Sequence, residues 1–200
     1  MLPYMTDQPH FTRSPELMSA DDTVLAVIDV QQKLISLIPG HERIVWNIRR
    51  LLDGAKILGV TVLATEQYPQ GLGGTVAELA SRLPSIIDKT AFSSCGSEQF
   101  CQRLAEINVP KVLLAGIESH VCVQQTALDL VANGYRVYAA TDAIGSRFTG
   151  DYETALRRLE LGGVTLTTTE SALFEWCQQS GTPQFKQISA LVREAPPPSK

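Results

Sequence analysis

Short apolar runs separated by amphipathic stretches constrain the fold of this chain more than any other feature of its sequence. The first run, TVLAVIDV from Thr23, is continuous and β-rich, which is typical of a strand covered on both faces. Runs of the same type recur at 60–65, 111–116, 135–139 and 164–167, with a shorter candidate at 86–88. Helical stretches are predicted at 42–58, 98–107, 119–133, 152–161, 169–178 and 183–192. This alternation predicts an α/β protein, a three-layer α/β/α sandwich around a six-stranded parallel sheet.

The length of 200 residues suits one α/β domain with a sizeable core. We expect residues 1–20, which carry three prolines and no periodicity, to form a loosely packed N-terminal arm. The domain itself is predicted to span residues 21–193. Residues 194–200, with the sequence EAPPPSK, cannot continue a helix and are predicted to be a disordered tail.

The charge balance argues against several classes of partner. Lysine and arginine total 17 against 21 aspartates and glutamates, which gives a net charge of −4, and no basic run occurs. We therefore expect no nucleic-acid partner and no anionic membrane surface as a partner. No apolar run approaches the roughly 20 residues that cross a bilayer. The first residues also lack the basic start and apolar block of a signal peptide, so a cytoplasmic location is predicted.

The cysteines raise the question of a metal site or a nucleophile. The chain has four cysteines without a CxxC pair and only three histidines, so neither a structural zinc site nor a cofactor is expected. In a reducing compartment the thiols are predicted to be free. Each cysteine is then either a small buried apolar residue or a nucleophile.

Three reactive side chains follow different predicted strands. In an open parallel sheet, ligands bind where the strands end at their carboxyl edge. Asp29 ends the first strand, Lys89 follows the run at 86–88, and Cys122 follows the run at 111–116. Cys122 lies in the first turns of a predicted helix, where backbone N–H groups and the helix dipole lower a thiol pKa and bind an oxyanion. The alternatives are a buried apolar cysteine, a helix-capping aspartate and a solvated lysine.

Four segments in order carry a family resemblance. VLAVIDVQ, DKTAFS, LLAGIESHVCV and VYAATDAIGSR resemble the isochorismatase-like (cysteine) hydrolase superfamily, over about residues 23–171. The segments EQYPQGLGGTV and PQFKQI are similar to a subgroup, the isochorismatase domain-containing proteins. The resemblance implies a Rossmann-like strand order, a homo-oligomer and a small-molecule substrate.

The resemblance also implies roles for individual residues. It implies a triad of Asp29, Lys89 and Cys122, and a cis peptide between Ile117 and Glu118. The N–H groups of Glu118 and Cys122 would then receive the oxyanion of the reaction. The sequence departs from two groups of this superfamily, and each departure argues against the activity of that group. The metal-binding histidines of nicotinamidases are missing, and cysteine stands where isochorismatases proper have glycine.

Further residues are predicted to line the substrate pocket. Glu66 and Tyr68 end the second strand, and Phe92 is a candidate apolar wall. His120 either lines the pocket or is structural. Glu66 either orients a polar group of the substrate or makes a structural hydrogen bond.

Two classes of function remain open at this level. The first is a metal-independent cysteine hydrolase of a small amide, ester or related molecule, acting through a covalent acyl-enzyme. The alternative is a non-catalytic binding or scaffold protein on the same fold, or else a nicotinamidase or isochorismatase proper. A homo-oligomer, a dimer or larger, is predicted because the stretches at 171–177 and 183–192 are rich in large apolar residues. These two helices could equally cap the sheet's own core.

Overall fold

A computed structural model describes residues 12–198 and confirms the predicted α/β/α sandwich. Six strands form one sheet in the order β3-β2-β1-β4-β5-β6, and every neighbouring pair is parallel. The strands are β1 (Thr23–Ile28), β2 (Thr61–Gln67), β3 (Ile87–Lys89), β4 (Lys111–Ile117), β5 (Arg136–Gly145) and β6 (Thr165–Thr167).

The sheet carries helices on both faces. The longer helices are α2 (His41–Leu58), α5 (Glu98–Ile107), α6 (Gln124–Ala132), α7 (Thr149–Leu161), α8 (Thr169–Cys177) and α9 (Pro183–Val192). Three one-turn helices that the sequence patterns do not predict are α1 (Gln32–Ile35), α3 (Pro69–Leu72) and α4 (Ala77–Ala80). Helices α2, α8 and α9 cover one face of the sheet, while α5, α6 and α7 cover the other.

The central strands are apolar because both of their faces are covered. Every residue of β1 and of β4 is buried, which matches their unbroken apolar sequences. The chain runs outward from β1 to β3 and then returns to place β4 on the other side of β1. The carboxyl ends of β1 and β4 therefore meet at a topological switch point, where a crevice is expected.

Gly116 allows β4 to approach β1 closely at that point. Gly116 pairs with Ile28 and has a φ of +129°. A Cβ atom at this position would lie 2.1 Å from the carbonyl oxygen of Ile28. Only glycine fits both the backbone conformation and the contact.

Some of the described residues near the two chain ends contact the rest of the domain. Met18 is completely buried, its N–H donates to Glu175, and Arg13 donates to the Met18 and Glu175 carbonyls. Loose packing therefore does not describe Met18, whereas residues 12–17 are exposed, and residues 1–11 lie outside the described residues. In the predicted tail, Glu194 pairs with Arg49, and residues 199 and 200 lie outside the described residues.

The apolar faces of the two last helices belong to the domain's own core. Leu173, Trp176, Ile188 and Leu191 are all buried within this single chain. These four residues therefore cap the sheet, as the alternative predicts, whereas Phe174 is 40% exposed and Phe185 is half-buried, so the predicted interface stays a prediction. Among residues 12–198, no helix combines the length and apolar character needed to cross a membrane.

Candidate active site

Asp29 lies at the carboxyl end of β1, in the interior of the protein. Its side chain is completely buried, and its backbone has a φ of +51°, in the left-handed region that aspartate tolerates better than most residues. The Asp29 N–H donates to the Thr65 carbonyl, and the Thr65 hydroxyl donates to Oδ1 at 2.7 Å. These bonds fix the carboxylate against the end of β2.

Lys89 supplies the positive charge that this buried carboxylate needs. Its Nζ donates to Asp29 Oδ2 at 2.7 Å, to Gln67 Oε1 at 2.8 Å, and to the carbonyls of Ala91 and Phe92 at 3.2 and 3.0 Å. Both side chains are at most 1% exposed. The cost of burying the two charges is offset by their mutual attraction and by these hydrogen bonds. The solvated-lysine alternative is wrong.

Gln67, which ends β2 between Glu66 and Tyr68, also contacts this ion pair. Its Oε1 accepts from Lys89, and its Nε2 donates to the Thr90 carbonyl at 2.7 Å. Its backbone is held in turn by the completely buried side chain of Gln31. The detectable signal is strand alternation, since Thr65 and Gln67 lie on the same face of β2 and reach Asp29 and Lys89.

Cys122 joins this pair from the end of β4. It lies in a π-helical turn, Ser119–Val123, that leads into α6, and such wide turns are frequent at functional sites. Its side chain is buried, and the Asp29 carboxylate and the Lys89 ammonium lie close enough to act electrostatically on its thiol. The structure thus brings Asp29, Lys89 and Cys122 together, and we call them the acid–amine–thiol cluster.

The surroundings of Cys122 raise its pKa rather than lower it. Burial is the largest cause, the nearby Asp29 and Glu118 carboxylates add to it, and Lys89 opposes it, so that the pKa of the thiol is raised to about 12. The expectation that the helix start lowers this pKa is therefore wrong. With its pKa raised in this way, the thiol is protonated at neutral pH.

The chain turns sharply between β4 and Cys122. The peptide bond between Ile117 and Glu118 is cis. Glu118 is mostly buried, and its carboxylate accepts a 2.7 Å hydrogen bond from Arg147 Nε, in the segment between β5 and α7. The family resemblance implies a role for the Glu118 N–H but no contact between its side chain and Arg147.

The predicted pocket residues have different surroundings. Oε1 of Glu66 accepts from the Thr75 N–H at 2.5 Å and from its hydroxyl at 2.7 Å. Because Glu66 lies between Thr65 and Gln67 on β2, it faces away from the cluster, and this favours the structural alternative. His120 Nδ1 lies 2.9 Å from the Ser146 hydroxyl.

Two exposed aromatic side chains lie beside the cluster. Tyr68 is 54% exposed and Phe92 is 55% exposed, and the carbonyl of Phe92 accepts from Lys89. Tyr68 and Lys89 both line a cavity of about 270 Å³. These two rings are therefore available to contact a small molecule at the edge of the sheet.

The family model for the isochorismatase domain matches residues 23–171, which include the whole cluster. The chain belongs to the isochorismatase family. Isochorismatase domain-containing protein 1 of Danio rerio is 39% identical over 184 residues, which cover 91% of this chain. The chain spans 65% of the length of that relative.

Solved structures show the same fold. A structure described as MAR1 ribonuclease from Caenorhabditis elegans has a TM-score of 0.85 at 37% identity, and the match covers 92% of this isochorismatase-family chain and 95% of that one. The YcaC gene product of Escherichia coli, described as an octameric hydrolase of unknown specificity, has a TM-score of 0.83 at 22% identity. That match covers 90% of this chain and 92% of YcaC, and it shows the fold alone.

Metal ligands do not come together in the described part of this isochorismatase-family chain. Across residues 12–198, no three histidine, cysteine, aspartate or glutamate side chains form a group that could hold a metal ion. The sequence also has no histidine between Trp46 and Ser119. The residues present at the cluster are therefore an acid, an amine and a thiol, which suit nucleophilic chemistry.

Proposed function

We propose that this protein is a metal-independent cysteine hydrolase of a small amide, ester or related molecule. The observation that carries the proposal is the fully buried ion pair of Asp29 and Lys89, joined at 2.7 Å, whose two charges both act on the buried thiol of Cys122. A nucleophile, its base and a group that orients the base are the parts that covalent catalysis requires. A purely structural cysteine would not need a buried ion pair beside it.

The raised pKa of Cys122 determines how the first step would proceed. Because the thiol is protonated at rest, Sγ attacks the acyl carbon while its proton passes to Asp29. The carbonyl π electrons move to oxygen, and the N–H groups of Glu118 and Cys122 are proposed to receive this oxyanion. Lys89 keeps the carboxylate in place and compensates the charge that develops beside it.

The acyl-enzyme then forms and is hydrolysed. The tetrahedral intermediate collapses, the C–N or C–O bond breaks, and the leaving amine or alcohol takes the proton from Asp29. A water molecule attacks the thioester carbon as Asp29 accepts its proton. The C–S bond breaks, the acid product leaves, and the proton returns to the Cys122 sulfur. No metal or cofactor takes part in these steps.

Competing functions make different predictions. A non-catalytic binding protein on this fold would neither turn over a substrate nor form an adduct. The Caenorhabditis elegans relative is described as a ribonuclease. A net charge of −4 does not favour a polyanion, so we include RNA as a competing substrate rather than as the proposed one.

The test is intact-mass spectrometry of the purified protein after incubation with a library of amides and esters, with RNA in parallel. We expect an acyl adduct on Cys122 in the wild type and none in Cys122→Ala, with turnover lost in that variant. Dialysis against EDTA should leave turnover unchanged. RNA cleavage with no adduct, or full turnover by Cys122→Ala, would contradict the proposal.

Assembly and compartment belong to the same proposal. We propose a homo-oligomer, on the family resemblance and on the octameric description of YcaC, and a cytoplasmic location, because all four cysteines are free thiols. Light scattering over a dilution series tests the assembly. A single species of 21.8 kDa throughout would contradict it.

A further inference from the structure

The turn that carries Cys122 is tied to one short segment of the chain by three side-chain contacts. Arg147 contacts Glu118, Ser146 contacts His120, and Asp151 lies 3.7 Å from His120. All three come from residues 146–151, where β5 passes into α7. We call this segment the clamp segment. Its contacts reach residues 118 and 120, which lie four and two positions before Cys122.

The contact between Arg147 and Glu118 is the strongest of the three. Arg147 Nε donates to Oε1 at 2.7 Å, Nη2 donates to Oε2 at 3.4 Å, and the Arg147 N–H donates to Oε1 at 3.4 Å. Two guanidinium donors on two carboxylate oxygens form a fork that fixes orientation as well as distance. The Arg147 guanidinium carbon lies 5.9 Å from the centre of the Phe148 ring.

The burial of the two partners is unequal. The Glu118 side chain is 10% exposed, whereas that of Arg147 is 44% exposed. An exposed arginine contributes little to stability through an ion pair, because solvent screens the charge. We therefore expect the pair to contribute little to the free energy of unfolding. Its main effect should be on the electrostatic potential around the Glu118 carboxylate.

Glu118 has an electrostatic effect on the nucleophile. Its carboxylate is one of the charges that raise the pKa of Cys122. A negative charge here also opposes the oxyanion that is proposed to form beside the Glu118 N–H. Neutralising this carboxylate would favour both the loss of the thiol proton and the binding of the oxyanion. Arg147 is in contact with the carboxylate and carries the opposite charge.

We propose that Arg147 is a positioning residue, which orients the turn before Cys122 and neutralises the Glu118 carboxylate beside the developing oxyanion. This inference rests on the proposed cysteine hydrolase function. Arg147 acts through Glu118 and touches no reacting atom. The contacts of His120 with Ser146 and Asp151 tie the same turn to the same segment.

The test compares Arg147→Met with Arg103→Met. Arg103 forms an exposed pair with Glu106 at 3.5 Å on α5, so its variant controls for the loss of a surface ion pair. The first readout is the burst of p-nitrophenol from p-nitrophenyl acetate, with Cys122→Ala subtracted as background. We expect Arg147→Met to slow the burst about tenfold to a hundredfold, which is the scale of small losses of positioning. We expect Arg103→Met to leave it unchanged.

The second readout does not depend on turnover. The rate at which iodoacetamide alkylates Cys122 is measured at pH 9 by mass spectrometry of the Cys122 peptide, because the exposed Cys101 would contribute to any whole-protein signal. Arg147→Met should slow this alkylation, because the Glu118 charge is then unopposed. The double variant Glu118→Gln, Arg147→Met should recover it, because the amide needs no neutralisation. A purely structural role would not be rescued by a second substitution.

The outcomes separate this inference from the proposed function. If Arg147→Met matches Arg103→Met in both readouts while Cys122→Ala is inactive, the inference is wrong and the hydrolase stands. If Cys122→Ala shows a full burst, the proposed function fails. If Arg147→Met does not fold, Arg147→Lys, which keeps the charge and loses the fork, takes its place. An Arg147→Lys protein with wild-type burst and alkylation rates would overturn the orienting part.

Discussion

Lys89 Nζ lies 2.7 Å from Asp29 Oδ2 in the interior of the protein, and the Thr65 hydroxyl donates to the other oxygen of the same carboxylate, Oδ1, at the same distance. A second aspartate–lysine pair, Asp22 with Lys111 at 2.6 Å, lies at the opposite end of β1 and β4. The Asp22 side chain is 31% exposed, so this second pair is in contact with solvent. It provides a matched control for substitutions in the first.

Asp29→Asn should separate the pKa of Cys122 from catalysis. The negative charge of Asp29 raises the pKa of Cys122, so its removal lowers that pKa. Alkylation of Cys122 at pH 7 should become faster, about tenfold for each unit of decrease. Turnover should fall by about 10²–10⁴, because the base is lost. Asparagine also tolerates the left-handed backbone at this position.

Asp22→Asn controls for the general loss of a carboxylate. It should change neither the alkylation rate of Cys122 nor turnover. Slower alkylation in Asp29→Asn than in the wild type would contradict the assignment of Asp29 as the group that keeps the thiol protonated.

Lys89→Met should destabilise the protein more than Lys111→Met. Removal of Lys89 leaves Asp29 buried without a counter-charge, which typically costs about 3–5 kcal/mol. Removal of Lys111 leaves Asp22 partly in water, so the cost should be smaller. Urea unfolding followed by circular dichroism measures both. Equal losses would show that burial of Asp29 does not control the energetics of this site.

The sequence predicted which strands carry the site better than it predicted the side-chain contacts and the pKa values within it. Unbroken apolar runs identify β1 and β4, and strand ends bring Asp29, Lys89 and Cys122 to one edge of the sheet. Gln67 and Arg147 make their contacts across strands and loops, so their partners depend on a strand register that a single sequence does not display. The predicted lowering of the Cys122 pKa was wrong for the same reason, because burial and the Glu118 charge, which raise it, come from the surrounding fold.

The stability of the protein should depend on Cys122 at alkaline pH. The pKa of the thiol is raised from 9.0 to about 12 in the folded state, so the neutral thiol is favoured by folding. Its contribution is fully present below about pH 9 and is lost as the pH rises toward 12. The unfolding free energy of wild type minus that of Cys122→Ala should therefore fall over this range. Other groups that titrate there cancel in the difference, and a flat difference would contradict the raised pKa.

Gly116→Ala should disturb both the fold and the site, and Gly134→Ala is its control. Both glycines have a positive φ, +129° and +85°, so both substitutions incur backbone strain of about 1–2 kcal/mol. The difference lies in the space available. A Cβ at Gly134 has no atom within 4 Å, whereas one at Gly116 lies 2.1 Å from the Ile28 oxygen and 2.6 Å from its nitrogen. These are backbone atoms that cannot rotate away, so β4 must move relative to β1.

Because Cys122 follows β4 and Asp29 follows β1, that movement should separate the thiol from its base. We expect Gly116→Ala to lose more unfolding free energy than Gly134→Ala in urea, and also to lose the p-nitrophenyl acetate burst. Gly134→Ala should keep the burst. If Gly116→Ala folds with a wild-type burst, close approach of the two strand ends is not what holds the acid beside the thiol.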